Sequence, residues 1–112
     1  MKGKFVRHEE SPVIVLGGGT SRQILAYNRE EMAVEVMFET GAVGADHTHP
    51  HTQISYVLSG RFRYHIEGEA VEMAPGDSIV VPSGLVHGTV CLEAGVLLDV
   101  FAPMREDFVP EG

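Results

Sequence analysis

Between Asp46 and Gln53 the chain reads DHTHPHTQ. Neutral imidazole is the commonest side-chain ligand for transition metals. In an extended segment alternate side chains point to one side, so His47 and His49 share a face, about 7 Å apart along the chain. Two such imidazoles can converge on one cation if a third nitrogen arrives from a distant segment. His87 is the natural supplier, because it follows the turn Pro82-Ser83-Gly84 at the start of a strand-like run. A single histidine in a loop is ordinarily solvated; here the spacing argues for more. His51 keeps the alternation, but Pro50 bends the chain before it, which suits an entrance or supporting position. His8 lies in a tail and His65 in a strand with Arg61 and Arg63, so both are read as surface residues. The run then closes on Gln53, a neutral amide where a metal site would be expected to end in a carboxylate.

A second chemical feature lies in the stretch GVLLDVFAPMREDF, Gly95–Phe108. As a strand it sets Leu97, Asp99 and Phe101 on one face and Val96, Leu98 and Val100 on the other. A carboxylate in such an apolar run is costly to bury unless it is paired or faces a polar cavity. Either the strand is an edge and Asp99 meets water, or Asp99 looks into a site.

Positioning these groups falls to a chain of 112 residues, enough for one domain and one core. Its hydrophobic fraction of 44% and charged fraction of 21% are ordinary for a globular protein. No apolar run approaches the ~20 residues that span a bilayer, and the N-terminal MKGKFVRHEESP has no apolar signal-peptide core. The single cysteine, Cys91, excludes an internal disulfide and fits a reducing, cytoplasmic setting. A formal charge of −8, with scattered basic residues, disfavours the phosphate-neutralising surface of a nucleic-acid binder. A small anionic ligand needs a site that is locally positive.

Strand signals recur at even spacing between Gly and Pro turns. They fall at Pro12–Leu16, Arg22–Tyr27, Ala33–Thr40, Gln53–Leu58, Arg61–Glu67, Ala70–Met73, Ser78–Val81, Val86–Leu92 and Val96–Phe101. Gly41–Asp46 reads as a loop and Ser59-Gly60 as a tight turn. Helix signals are weak, and the best candidate, around Asn28–Met32, is short enough to be a turn. The polar tail from Pro103 to Gly112 is expected to fray at its end. The pattern predicts an all-β sandwich or barrel. Several strands are apolar on both faces: Ile54, Tyr56 and Leu58 oppose Val57. The face turned away from the core needs a second layer, so a homodimer is expected. Cys91 alternates with His87 and Thr89 and is read as a buried packing thiol; the five methionines fill core or interface space.

Two spacings carry a family resemblance. Gly41, five residues, His47-Thr48-His49, three residues, Gln53, six residues and Gly60 resemble the first signature motif of the cupin superfamily. Gly76, five residues, Pro82-Ser83-Gly84, two residues and His87 resemble the second. The resemblance implies one domain over residues 1–112 with its barrel core at about 33–102. It also implies a jelly-roll β-barrel, a double-stranded β-helix, holding one divalent metal at its mouth. Gln53 departs from the glutamate of most cupins. With three imidazoles and an amide as ligands, none of the ion's charge is cancelled, which favours electrophilic catalysis on an anion. In such a barrel the last strand forms the wall opposite the histidines, so Asp99 and Phe101 face the cavity. Arg105 then either reaches over the mouth as an anion clamp or is an ordinary surface arginine.

Asp99-Val100-Phe101-Ala102-Pro103, followed by Arg105-Glu106-Asp107-Phe108, is similar to the C-terminal signature of the KdgF family of pectin-degradation cupins. The HTHPH run ending in Gln53 is similar to that family's metal motif, whereas Asp46 and Thr52 are less typical. This resemblance implies His47, His49, Gln53 and His87 as metal ligands, and Asp99, Phe101 and Arg105 as catalytic residues. The metal would be nickel, manganese, iron, cobalt or zinc. The implied activity is an isomerisation of 4,5-unsaturated uronates, products of pectin or alginate lyases, to linear 5-keto-4-deoxyuronates. The implied partner is an anionic sugar acid, with no nucleic acid and no membrane. Arg22, Arg63 and Tyr56 are further candidates for substrate contact. Two rival readings share the fold: a metal-dependent dioxygenase, and a non-catalytic domain that binds a sugar or another small molecule.

Overall fold

The computed structural model describes residues 1–109. Among these, eight antiparallel strands run β1 (Ile14–Gly17), β2 (Thr20–Tyr27), β3 (Met32–Phe38), β4 (Val43–His47), β5 (Thr52–Ile66), β6 (Glu69–Met73), β7 (Ser78–Val81) and β8 (His87–Ala102). They join in the order β1-β2-β3-β8-β5-β6, with β4 also paired to β8 and β7 to β5. The long strands β5 and β8 each serve two neighbourhoods. The second half of β8 lies between β3 and the first half of β5. Its first half lies between β4 and the second half of β5. The sheet thereby folds over itself into the jelly-roll barrel expected from the sequence.

The fold-over happens at one corner. Register shifts mark β5 between Val57 and Phe62, opposite Glu93–Val96 of β8. A Cβ on Gly60 would lie 2.7 Å from Ala94 O, and Gly60 has φ +79°. A Cβ on Gly95 would lie 2.6 Å from Gly60 Cα. Side chains cannot enter so close a backbone crossing, so glycine is required on both strands. Here the sequence expectation of a tight turn at Ser59-Gly60 is corrected: glycine bends a continuous strand. For the same reason the two runs Val86–Leu92 and Val96–Phe101 are one strand, β8.

The segment Gly41–Asp46, read as a loop, is also corrected. It contributes most of β4, which pairs with β8 and carries His47 at its end. Gly41 and Gly44 had concealed the strand. At Asn28–Met32 there is a turn, in which Asn28 Oδ1 accepts from the backbone N–H of Glu30 and Glu31 at 2.9 and 3.1 Å. The tail does not leave the body at Pro103. It makes a 3₁₀ turn at Glu106–Phe108, and Met104, Phe108 and Val109 pack against Met32, Val34 and Phe101. Its final residues, 110–112, lie outside those described.

Inside the barrel, Phe38 and Phe62 meet edge to face at 5.3 Å within a core that includes Val57, Met73, Val81 and Leu97. Cys91 is buried there, with its thiol toward Glu93 O at 3.1 Å. Outside, Ile54, Tyr56, Leu58 and Val80 are 39–56% exposed. These are the outward positions of β5 and β7, adjacent in register.

Candidate active site

The inner face of the sheet is organised in rows across the strands. One row runs Met32–Phe101–Gln53–Val81, the next Val34–Asp99–Ser55–Ile79, the next Arg22–Val36–Leu97–Val57. The period-2 rule that keeps Val57, Leu97 and Phe101 in the core therefore also turns Gln53, Ser55 and Asp99 inward. His47 and His87 are direct partners across β4 and β8, and their ring centroids lie 4.3 Å apart. His49 follows in the loop and brings its ring 4.8 Å from that of His87 and 5.8 Å from Phe101.

One ring nitrogen from each of His47, His49 and His87 lies within 4.8 Å of the other two. Their other nitrogens identify which one. His47 Nδ1 sits 2.8 Å from Ala45 O, His49 Nδ1 3.1 Å from His51 O, and His87 Nδ1 2.9 Å from Leu85 O. A carbonyl only accepts, so each Nδ1 carries a proton, which leaves Nε2 of each ring to face its neighbours. Burial lowers the pKa of His49 and of His87, which keeps both neutral. Among the described residues His87 Nε2 is buried with no hydrogen-bond partner.

Gln53 completes the set. Its Oε1 lies 3.0 Å from His49 Nε2, so two lone-pair atoms face one another. That is an unfavourable pair unless a cation draws both. The amide orientation follows from a chain of donors. Ser55 Oγ donates to Asp99 Oδ1 at 2.6 Å, so its lone pair receives Gln53 Nε2 at 3.0 Å, leaving Oε1 toward the imidazoles. Three imidazole nitrogens and an amide oxygen suit a divalent transition metal.

Asp99 lies beyond this chain. It is 8% exposed, and burial pushes its carboxyl up to about 6, against the hydrogen bond from Ser55. Tyr64 closes the polar group, with its hydroxyl 3.2 Å from Ser55 Oγ. Burial, and then the charge of Asp99, push the Tyr64 hydroxyl well up, so it stays protonated. Asp99, His47, His87, Gln53, Phe101 and Arg105 all border one cavity of about 160 Å³. Phe101 is buried, with its ring 5.7 Å from that of Phe108. Arg105 reaches the cavity, but Nε and Nη2 donate to Asp107 Oδ1 and Oδ2 at 3.1 and 2.9 Å. Its guanidinium also lies 4.3 Å from the Phe108 ring centroid.

Other candidates fall elsewhere. His51 turns its ring to Met104 O at 3.1 Å; it meets the cluster through its carbonyl, which accepts from His49 Nδ1, and through its ring, edge-on to that of His49 at 5.3 Å. His8 pairs with Glu35 and His65 with Asp46. Tyr56 is on the outward face, and Arg63 is exposed beside Glu72; neither borders the cavity. Sequence reasoning passed over Ser55 and Tyr64. Their signal was available: a small hydroxyl between inward Gln53 and Val57, and a phenol two residues past inward Phe62.

Known proteins are similar to this chain in sequence and fold. The cupin domain profile matches residues 34–101. The chain is 42% identical over 108 residues to the pectin degradation protein KdgF of Dickeya dadantii, covering 95% of this chain and 98% of that one. The crystal structure of an RmlC-like cupin from Shewanella frigidimarina superposes with a TM-score of 0.91 at 44% identity, covering 94% and 95% of the two chains. The structure of KdgF from Halomonas sp. superposes with a TM-score of 0.92 at 39% identity, covering 96% of this chain and all of the other. A barrel with this histidine cluster, matched in sequence and shape along nearly its whole length, belongs to the cupin family and, within it, to the KdgF pectin degradation proteins.

Proposed function

We propose that this protein is an enzyme of pectin or alginate breakdown that converts 4,5-unsaturated monouronates into linear 5-keto-4-deoxyuronates. The observation that carries the proposal is Asp99, a buried carboxyl with its pKa near 6, on the same small cavity as His47 and His87 of the histidine cluster. The kinship with pectin degradation proteins supports the substrate class.

The reaction is an isomerisation. The anomeric hydroxyl loses its proton, the C1–O5 bond breaks, and the electron pair moves onto the oxygen of C5 as an enolate. A proton added at C4 completes the ketone. One proton leaves and one arrives, so a single carboxyl can serve both steps, and Asp99 is assigned that role. Its pKa near 6 leaves it mostly ionised at neutral pH and still able to return the proton. Ser55 holds the carboxylate in one orientation by its 2.6 Å bond. Phe101 forms an apolar wall against the sugar and keeps water from the enolate. Arg105 adds positive charge beside the incoming carboxylate.

A divalent metal held by His47, His49, His87 and Gln53 supplies a Lewis acid for oxygens bearing negative charge. Nickel, manganese, iron, cobalt and zinc all accept this donor set. The acting form is read as a homodimer, supported by the outward patch of Ile54, Tyr56, Leu58 and Val80. A cytoplasmic location accords with the free, buried Cys91.

The test adds the protein to a lyase-generated unsaturated monouronate and follows loss of alkene ultraviolet absorbance. Conversion that ceases in metal-stripped protein and persists without oxygen is the expected result. Strict dependence on oxygen would point instead to a dioxygenase, and no conversion would overturn the proposal.

A further inference from the structure

Arg22 is a charge in an apolar row. It faces inward with Val36, Leu97 and Val57, and it borders the same cavity as Asp99 and His87. Burial of a guanidinium is unfavourable unless its donors are matched. Among the described residues Arg22 forms no ion pair, and its Nε is buried with no hydrogen-bond partner. The neighbouring Arg105 differs, since Asp107 occupies its Nε and Nη2.

The position of Arg22 is well defined. Its Cζ lies 3.7 Å from the centroid of the Phe108 ring, and the Cζ of Arg105 lies 4.3 Å from the same centroid. The two cations are therefore at most 8.0 Å apart, the sum of those distances. Two like charges are held beside one ring with a single carboxylate, Asp107, shared between their fields. A stacked guanidinium is a fixed, planar fork, and its natural complement is a planar carboxylate.

We infer that Arg22 is the specificity residue that grips the substrate's carboxylate, through the outer nitrogens of a guanidinium that has no ion-pair partner among the described residues. The inference rests on the proposed uronate reaction. Asp99 works at the hemiacetal and C4, Arg22 holds the acid group on C5, and Arg105, already paired with Asp107, adds positive charge beside it. The carboxylate keeps its charge throughout the reaction, so this grip is equal in ground and transition states. Its loss raises KM and leaves kcat nearly unchanged.

The experiment compares the unsaturated monouronate with its methyl ester as substrates of the metal-loaded protein, its Arg22→Met and its Arg22→Lys variants. Methionine keeps a long apolar stem for packing on Phe108, and lysine keeps the charge without the fork. For Arg22→Met the expected outcome is a KM for the acid raised about 10- to 100-fold, with kcat within about threefold. The wild-type preference for acid over ester falls at least about tenfold, and Arg22→Lys recovers part of it. Equal losses on acid and ester would mean that Arg22 serves packing alone, and would overturn the inference. So would an unchanged acid-to-ester ratio in an active Arg22→Met protein. A wild-type protein that converts neither compound would overturn the uronate reading itself, and this assignment with it.

Discussion

Gln53 and Asp99 are joined through one hydroxyl: Ser55 Oγ receives the Gln53 amide at 3.0 Å and donates to Asp99 Oδ1 at 2.6 Å. The residue read as a metal ligand and the residue read as the acid–base group thus belong to one directional chain. An amide suits the first position because it can donate at one end and present a lone pair at the other. A carboxylate there would repel Asp99 and compete for the single proton of Ser55.

Substituting Gln53→Glu therefore places a second anion within the cavity. The KM for the uronate is expected to rise about tenfold or more, since a like charge a few Å away is worth several kcal/mol at an effective dielectric of about 20. Asp99 becomes harder to ionise, so the acid limb of the rate profile moves to higher pH. Steady-state kinetics between pH 5 and about 8 reads both effects; an unaltered KM would contradict the role given to the amide.

For Asp99→Asn, turnover is expected to fall by about 10²- to 10⁴-fold, the range for a lost general acid–base group. Metal bound per chain, measured by elemental analysis, stays as in the wild type. In the wild type, kcat/KM declines below about pH 6, where Asp99 takes up its proton.

The same carboxyl links pH to stability. Its folded pKa of about 6 lies above the ordinary 3.8, so the folded state binds the proton more tightly than the unfolded one. Asp99 therefore makes its smallest demand on stability below pH 3.8; stability falls as pH rises toward 6 and levels off above it. In metal-free protein, Asp99→Asn is expected to stabilise the fold at pH 8 by up to about 3 kcal/mol, two pKa units at about 1.4 kcal/mol each. The gain should shrink toward pH 4 in denaturant titrations. A loss of stability at pH 8 would count against a desolvated carboxylate.

Replacing His87 by alanine removes a buried nitrogen that has no hydrogen-bond partner among the described residues. Metal content is expected to drop below about a tenth of the wild-type value, while the outer ligands stay in place. Added metal at about a hundred times its dissociation constant should stabilise the wild type by about 2.7 kcal/mol in thermal melts. The melting temperature of His87→Ala should not respond.

The outward patch predicts the assembly state. Ile54 is 47% and Val80 56% exposed, on neighbouring strands. The double variant Ile54→Lys, Val80→Glu is expected to halve the mass seen by light scattering and to leave the far-ultraviolet spectrum unchanged. A wild-type mass of one chain would remove the dimer from the reading.

Much of this protein is legible in its residues because strand alternation has a period of two. From the spacing of His47 and His49, and the alternation of Leu97, Asp99 and Phe101, the residues that share a face can be named without coordinates; that Asp99 turns inward, not to water, took the barrel to decide. The cross-chain relationships cannot. Whether Gly60 ends a strand or bends it depends on Gly95 passing within touching distance, and a turn signal looks the same in either case. Ser55 acquires its role only because Asp99 pairs with it in register across β5 and β8. Arg22 and Phe108 lie 86 positions apart in the chain and meet only because the tail folds back over the barrel mouth. Local spacing indicated which side chains share a face, whereas register and tail packing decided that Arg22 lies against Phe108 at the cavity.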